Sequence, residues 1–91
     1  MVITWDEAKR RQNIAKHGID LAYCEVIFDA PMLTVEDKSE SYGEKRLQSL
    51  GLFYGVVVFM VWVDSPAAPH LISVRKGVKH EERKYWQAIQ D

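Results

Sequence analysis

YGVVVFMVWV, residues 54–63, decides the fold class. β-branched and aromatic side chains dominate it, and both alternating sets are apolar: Tyr54, Val56, Val58, Met60 and Trp62 on one side, Val57, Phe59, Val61 and Val63 on the other. Such a strand belongs inside a sheet and needs cover on both faces.

Its neighbours supply the rest of the sheet. DSPAAP (64–69) is a turn whose prolines are unsuited to a ladder, and HLISVRK (70–76) is a strand with Leu71, Ser73 and Arg75 facing opposite to Ile72 and Val74. Upstream, Met32–Asp37 and Glu44 to about Phe53 read as an antiparallel pair joined by the loop KSESYG (38–43), and VITW (2–5) as a short strand. Thr4 and Glu7 form a capping box for a first helix that ends near His17, where Gly18 supplies the left-handed stop. Asp20 caps a second helix, with Leu21, Cys24, Ile27 and Phe28 on one stripe and Pro31 at its end. After Gly77, HEERKYWQAIQ (80–90) closes the chain as a helix whose apolar side is Tyr85, Trp86 and Ile89.

The order β-α-α-β-β-β-β-α predicts an α+β fold. An antiparallel sheet of four to five strands would carry two N-terminal helices and one C-terminal helix on one face. The second apolar set of the 54–63 strand, with Leu50 and Leu52 nearby, is then expected to stay open as a docking surface.

With 91 residues, 47% of them hydrophobic and 27% charged, the chain is one globular domain spanning 1–91 and neither disordered nor fibrous. A formal charge of −1 gives no global argument for nucleic acid, yet the signs are segregated: +2 over residues 1–17, −6 over 18–44 and +3 over 45–91. If the two basic ends meet, one cationic patch suits RNA or phosphate and one acidic patch suits a basic protein. The lone Cys24 excludes an intramolecular disulfide and a cysteine-rich zinc site, and fits a core thiol in a reducing cytoplasm. The greasiest run, Leu50 to Val63, falls short of the roughly 20 residues that span a bilayer, so no membrane partner is expected.

The chemistry concentrates on the first helix. Lys9, Asn13, Lys16 and His17 fall at i, i+4, i+7 and i+8 and project from one side, a display suited to an anion. His17 is the residue type that exchanges a proton near neutral pH, and Lys9, Lys16 and Arg75 are cations of the type that hold charge on a phosphate. Each has a plainer alternative. His17 can cap the helix C-terminus, Lys9 and Lys16 can solvate an exposed face, and Arg75 can pair a carboxylate such as Glu44. Arg46 and Arg83 are further candidate substrate contacts, whereas Tyr85 and Trp86 read as core. His70 and His80 show no ligand spacing with His17, so neither metal nor cofactor is expected.

Several stretches resemble one family together: Trp5-Asp6, Lys9, Asn13, Lys16-His17-Gly18-Ile19, Phe28-Asp29, Gly43-Glu44-x-Arg46, Ile72-Ser73-Val74-Arg75-Lys76 and Glu82-Arg83-x-x-Trp86. They resemble the BrnT toxins of type II toxin-antitoxin modules, in order and over nearly the whole chain, and the K-x-x-x-N-x-x-K-H-G block is the most specific part. Two positions depart from the pattern: Leu21, where the family often has an aromatic residue, and Gly77, where alanine is common. The resemblance implies a RelE-like fold and a ribonuclease activity that arrests translation. It also implies neutralisation by a BrnA-type antitoxin with a ribbon-helix-helix region, operator DNA being bound only through that complex. The rival reading is a non-catalytic binding module, such as a degenerate toxin that serves as co-repressor.

Overall fold

The computed structural model describes residues 1–38 and 43–90, so most of the loop expected over 38–43 lies outside the described residues. The elements are β1 (Thr4–Trp5), α1 (Glu7–His17), a 3₁₀ segment (Leu21–Asp29), β2 (Leu33–Asp37), β3 (Arg46–Phe53), β4 (Val56–Asp64), β5 (Pro69–Lys76) and α2 (Lys79–Gln90). They form an α+β fold around one five-stranded sheet of order β1-β5-β4-β3-β2.

The sheet is mixed rather than antiparallel. β2, β3, β4 and β5 pair antiparallel in succession, but β1 runs parallel to β5, with Thr4 opposite His70 and Trp5 opposite Leu71. No hairpin connects β1 to β5, so nothing local dictates their relative direction. β3 and β4 are joined by Tyr54 and Gly55, both at positive φ (48° and 82°), as a two-residue hairpin turn requires. Pro69 does join the ladder, opposite Asp64, at the first position of β5, where a missing N–H is tolerated.

The first helix is capped by Asp6 and not by Thr4. The Asp6 carboxylate accepts from the amides of Ala8 (2.9 Å) and Lys9 (3.2 Å), a charged acceptor at the positive end of the helix. Thr4 lies in β1, with Oγ1 2.8 Å from Nδ1 of His70. Gly18 terminates α1 at φ 70°, and Asp20 accepts from the Ala22 amide to start the next segment. That segment winds as 3₁₀, and Leu21, Cys24 and Ile27, spaced by three, fall on one fully buried face.

Expecting every helix on one face proves wrong. Leu21, Cys24 and Ile27 pack on Val58, Met60, Trp62, Leu71 and Val74, whereas Tyr85 of α2 packs with Leu50 and Val57 on the opposite face. Both apolar sets of β4 are thus served, the sheet being the middle of three layers. A row across four strands, Val35, Gln48, Val61 and Ser73, is left beside α2 with its side chains only partly covered. Alternation along β5 also breaks, because a bulge opposite Val61/Trp62 puts Leu71 on the same face as Val74.

Candidate functional site: a basic concavity between the first helix and β5

Asn13 fixes α1 against the sheet. Only 3% of it is exposed; its Nδ2 donates to the carbonyls of Ile19 (2.8 Å) and Val74 (2.9 Å), and its Oδ1 accepts from the Val74 amide (3.0 Å). One side chain thereby does what a neighbouring strand would do for the edge of β5 beyond β1. The amide predicted to be on display is buried and fully engaged with backbone.

With α1 so placed, Lys9, Gln12, Asn13, Lys16 and His17 line a concavity of about 240 Å³ together with Ile72 and Ser73 of β5. Lys9, Lys16 and His17 are exposed, and among the described residues none forms a hydrogen bond or ion pair with their side chains. The C-terminus of α1 is closed by the Gly18 amide, which donates to the Ile14 carbonyl at 2.9 Å. By contrast, Arg10 on the same helix is neutralised by Glu7 (2.7 Å) and by Asp20, whose two oxygens accept at 2.8 and 3.0 Å. Two ammonium groups and an imidazole therefore surround one opening beside Ser73, and among the described residues no carboxylate is bonded to any of the three basic groups.

Arg75 stands outside this opening. It lies two residues beyond Ser73 on the same side of β5, about 7 Å along the strand, and is not part of the lining. Its predicted partner Glu44 is elsewhere. Both Oε atoms of Glu81 accept from its guanidinium at 2.9 Å, and Cζ stands 4.3 Å from the centre of the Phe59 ring. Hydrogen bonding to Arg75 holds the Glu81 carboxyl below its ordinary range against the opposing effect of burial, and the Val78 amide adds to it at 2.9 Å.

Comparison with known proteins decides what this arrangement belongs to. Residues 5–81 match the family model described as the ribonuclease toxin BrnT of type II toxin-antitoxin systems. The chain belongs to the BrnT toxin family. The crystal structure of the Brucella abortus ribonuclease toxin BrnT is similar over 85% of this chain and 96% of that one, with 31% identity and a TM-score of 0.70. No curated protein matches the chain.

Membership in the BrnT family brings an antitoxin partner in general terms, and no helix of the described residues is long and apolar enough to cross a membrane. Not every basic residue of this BrnT-family chain gathers at the concavity. Arg46 opens β3, opposite Asp37 and Val63, with Nε 3.2 Å from Glu44, two strands away from β5. Arg83 sits on the far side of α2 with Lys79 and Trp86. Tyr85 is core as expected, its hydroxyl donating to the Pro31 carbonyl at 2.8 Å, but Trp86 is 42% exposed. Cys24 is fully buried, and that burial pushes its thiol up to about 12, with Asp20 adding to the effect. His70 and His80 lie on different elements, and among the described residues no three His, Cys, Asp or Glu side chains are grouped to hold a metal. Sequence reasoning missed Glu81 as the partner of Arg75. Its signal was position: it opens α2 and reaches back to the Val78 amide, as the acidic member of a capping box does.

Proposed function

We propose that this chain is the toxin of a type II module and acts as a metal-independent endoribonuclease that arrests translation in the cytoplasm. The observation that carries the reading is the convergence of Lys9, Lys16 and His17 with Ser73 around one opening, none of the three basic side chains having a counter-ion among the described residues. A phosphodiester is the ligand such a site suits.

In the proposed reaction the 2′-oxygen attacks phosphorus, the 5′-oxygen leaves, and a 2′,3′-cyclic phosphate and a 5′-hydroxyl result. His17 makes one of the two proton transfers, removal from the 2′-hydroxyl or delivery to the leaving 5′-oxygen, and solvent water makes the other. Lys9 and Lys16 hold the non-bridging oxygens as charge builds on them. Arg75 becomes a further cation at the edge when a substrate phosphate displaces Glu81 from its guanidinium. The buried Asn13 keeps these groups in register, a different role from direct substrate contact. A BrnA-type antitoxin with a ribbon-helix-helix region is the proposed neutralising partner, and operator DNA is bound through that complex.

The test is incubation of the purified protein with end-labelled RNA in EDTA. Cleavage that is lost in Lys9→Ala and His17→Ala supports the assignment. Cleavage retained in both variants overturns it. The engagement of Arg75 with Glu81 outside the concavity favours the rival co-repressor reading, which predicts no cleavage and no growth arrest on expression.

A further inference from the structure

His80, Glu81, Lys84 and Ala88 of α2 border a groove with β2 and β3, and the other side of α2 carries a second basic surface. Lys79, Glu82, Arg83, Trp86, Gln87 and Gln90 line a shallow depression of about 480 Å³. Lys79, Arg83 and Trp86 follow one another at i, i+4 and i+7, so they form one stripe of the helix. Glu82 is the one carboxylate of the lining, and among the described residues it pairs with neither Lys79 nor Arg83, whose charges stay free. Trp86 meets Tyr85 edge-to-face at 5.2 Å (81° between planes) and is 42% exposed, so much of the indole is open.

Residue 86 stands about 100° around the helix from Tyr85, which is buried against the sheet, so the Trp86 side chain points away from that core. Trp86 follows the free cations Lys79 and Arg83 along the stripe, with the Gln87 and Gln90 amides beyond it as donors and acceptors. Single-stranded RNA is bound by this combination of ring for stacking, cation for phosphate and amide for base edge. We infer that the Lys79–Arg83–Trp86 stripe of α2 is a second RNA-binding subsite, outside the cleavage centre, on which one base stacks against Trp86 while Arg83 and Lys79 hold flanking phosphates. The inference rests on the ribonuclease reading above for the identity of the polyanion, and it adds a function for a surface that reading does not use.

The experiment uses a fluorescein-labelled 2′-O-methyl RNA of twelve nucleotides, which lacks the 2′-hydroxyl that cleavage needs, and reads affinity by anisotropy across a salt series. Expected for Trp86→Leu is a loss of affinity of about 10-fold, largely restored in Trp86→Phe, which keeps a stacking ring. Arg83→Gln is expected to lower the slope of log affinity against log salt by about one. Both sites are on the surface, and unchanged thermal midpoints verify that the variants are folded. Native affinity and native salt slope in all three variants overturn the subsite, as does competition by poly-glutamate that matches RNA charge for charge with no effect of Trp86→Leu. Cleavage of unmodified RNA, followed in parallel, separates the two failures. Cutting with unaltered binding in the variants sinks this subsite alone, and no cutting and no binding by the native protein sinks both readings.

Discussion

Asn13 bonds both the amide and the carbonyl of Val74, at 3.0 and 2.9 Å, and is the buried link between α1 and the sheet. Removing the side chain leaves two buried backbone groups of β5 and the Ile19 carbonyl without a partner, each costing about 1–3 kcal/mol. Asn13→Ala is therefore expected to lose about 3 kcal/mol or more in urea denaturation. Turnover per folded molecule should fall only as far as α1 shifts. A variant that keeps native stability but has no activity would show that the amide contacts substrate instead.

Lys9, Lys16 and His17 are exposed, so their replacement by alanine should move stability by no more than about 0.5 kcal/mol. Activity on RNA should respond far more, by about 10²- to 10⁴-fold for His17→Ala. Thermal melts and cleavage rates on the same preparations check this separation. Equal losses in both would reassign the residues to the fold.

Glu81 predicts an acid-side dependence of stability. Its folded carboxyl is held below the ordinary value of 4.5, chiefly by Arg75, so the unfolded chain binds its proton more readily. The stabilisation is complete above that ordinary value and is lost as pH falls through the lower folded one. Asp20, lowered by Arg10 and the Ala22 amide, adds in the same direction. Denaturation midpoints below about pH 4.5 should fall less steeply in Glu81→Gln than in the native protein.

Gly51 lies under the 3₁₀ segment, where an added Cβ would stand 2.7 Å from Cγ2 of the fully buried Ile27. That methyl is fixed to the β-branched stem of a fully buried side chain rather than to the end of a flexible one. Gly51→Ala is expected to cost about 1–3 kcal/mol by overpacking, measurable by urea denaturation, and Ile27→Val in the same chain should recover part of it.

The thiol of Cys24 is buried and pushed up to about 12, so almost no thiolate is present near neutral pH. A disulfide reagent should leave the native protein unmodified over hours and react promptly in denaturant. Fast native labelling would mean that the 3₁₀ segment opens readily.

Local chemistry was legible in the sequence. The β-branched run of β4, the left-handed Gly18, the cap at Asp20 and the three-residue spacing of Leu21, Cys24 and Ile27 each follow from a residue and its near neighbours. Lys9, Lys16 and His17 were readable as one display for the same reason, since helical periodicity alone puts them on one side. Tertiary structure decided everything that depends on chain-distant partners. Asp6 displaced Thr4 as cap because β1 claims Thr4 for His70. Asn13 is buried because β5 offers it an unpaired edge, and the choice of Glu81 over Glu44 for Arg75 follows the turn at Gly77 that brings α2 back over the sheet. Periodicity says which residues share a face. Only the packing of elements far apart in sequence says what that face meets.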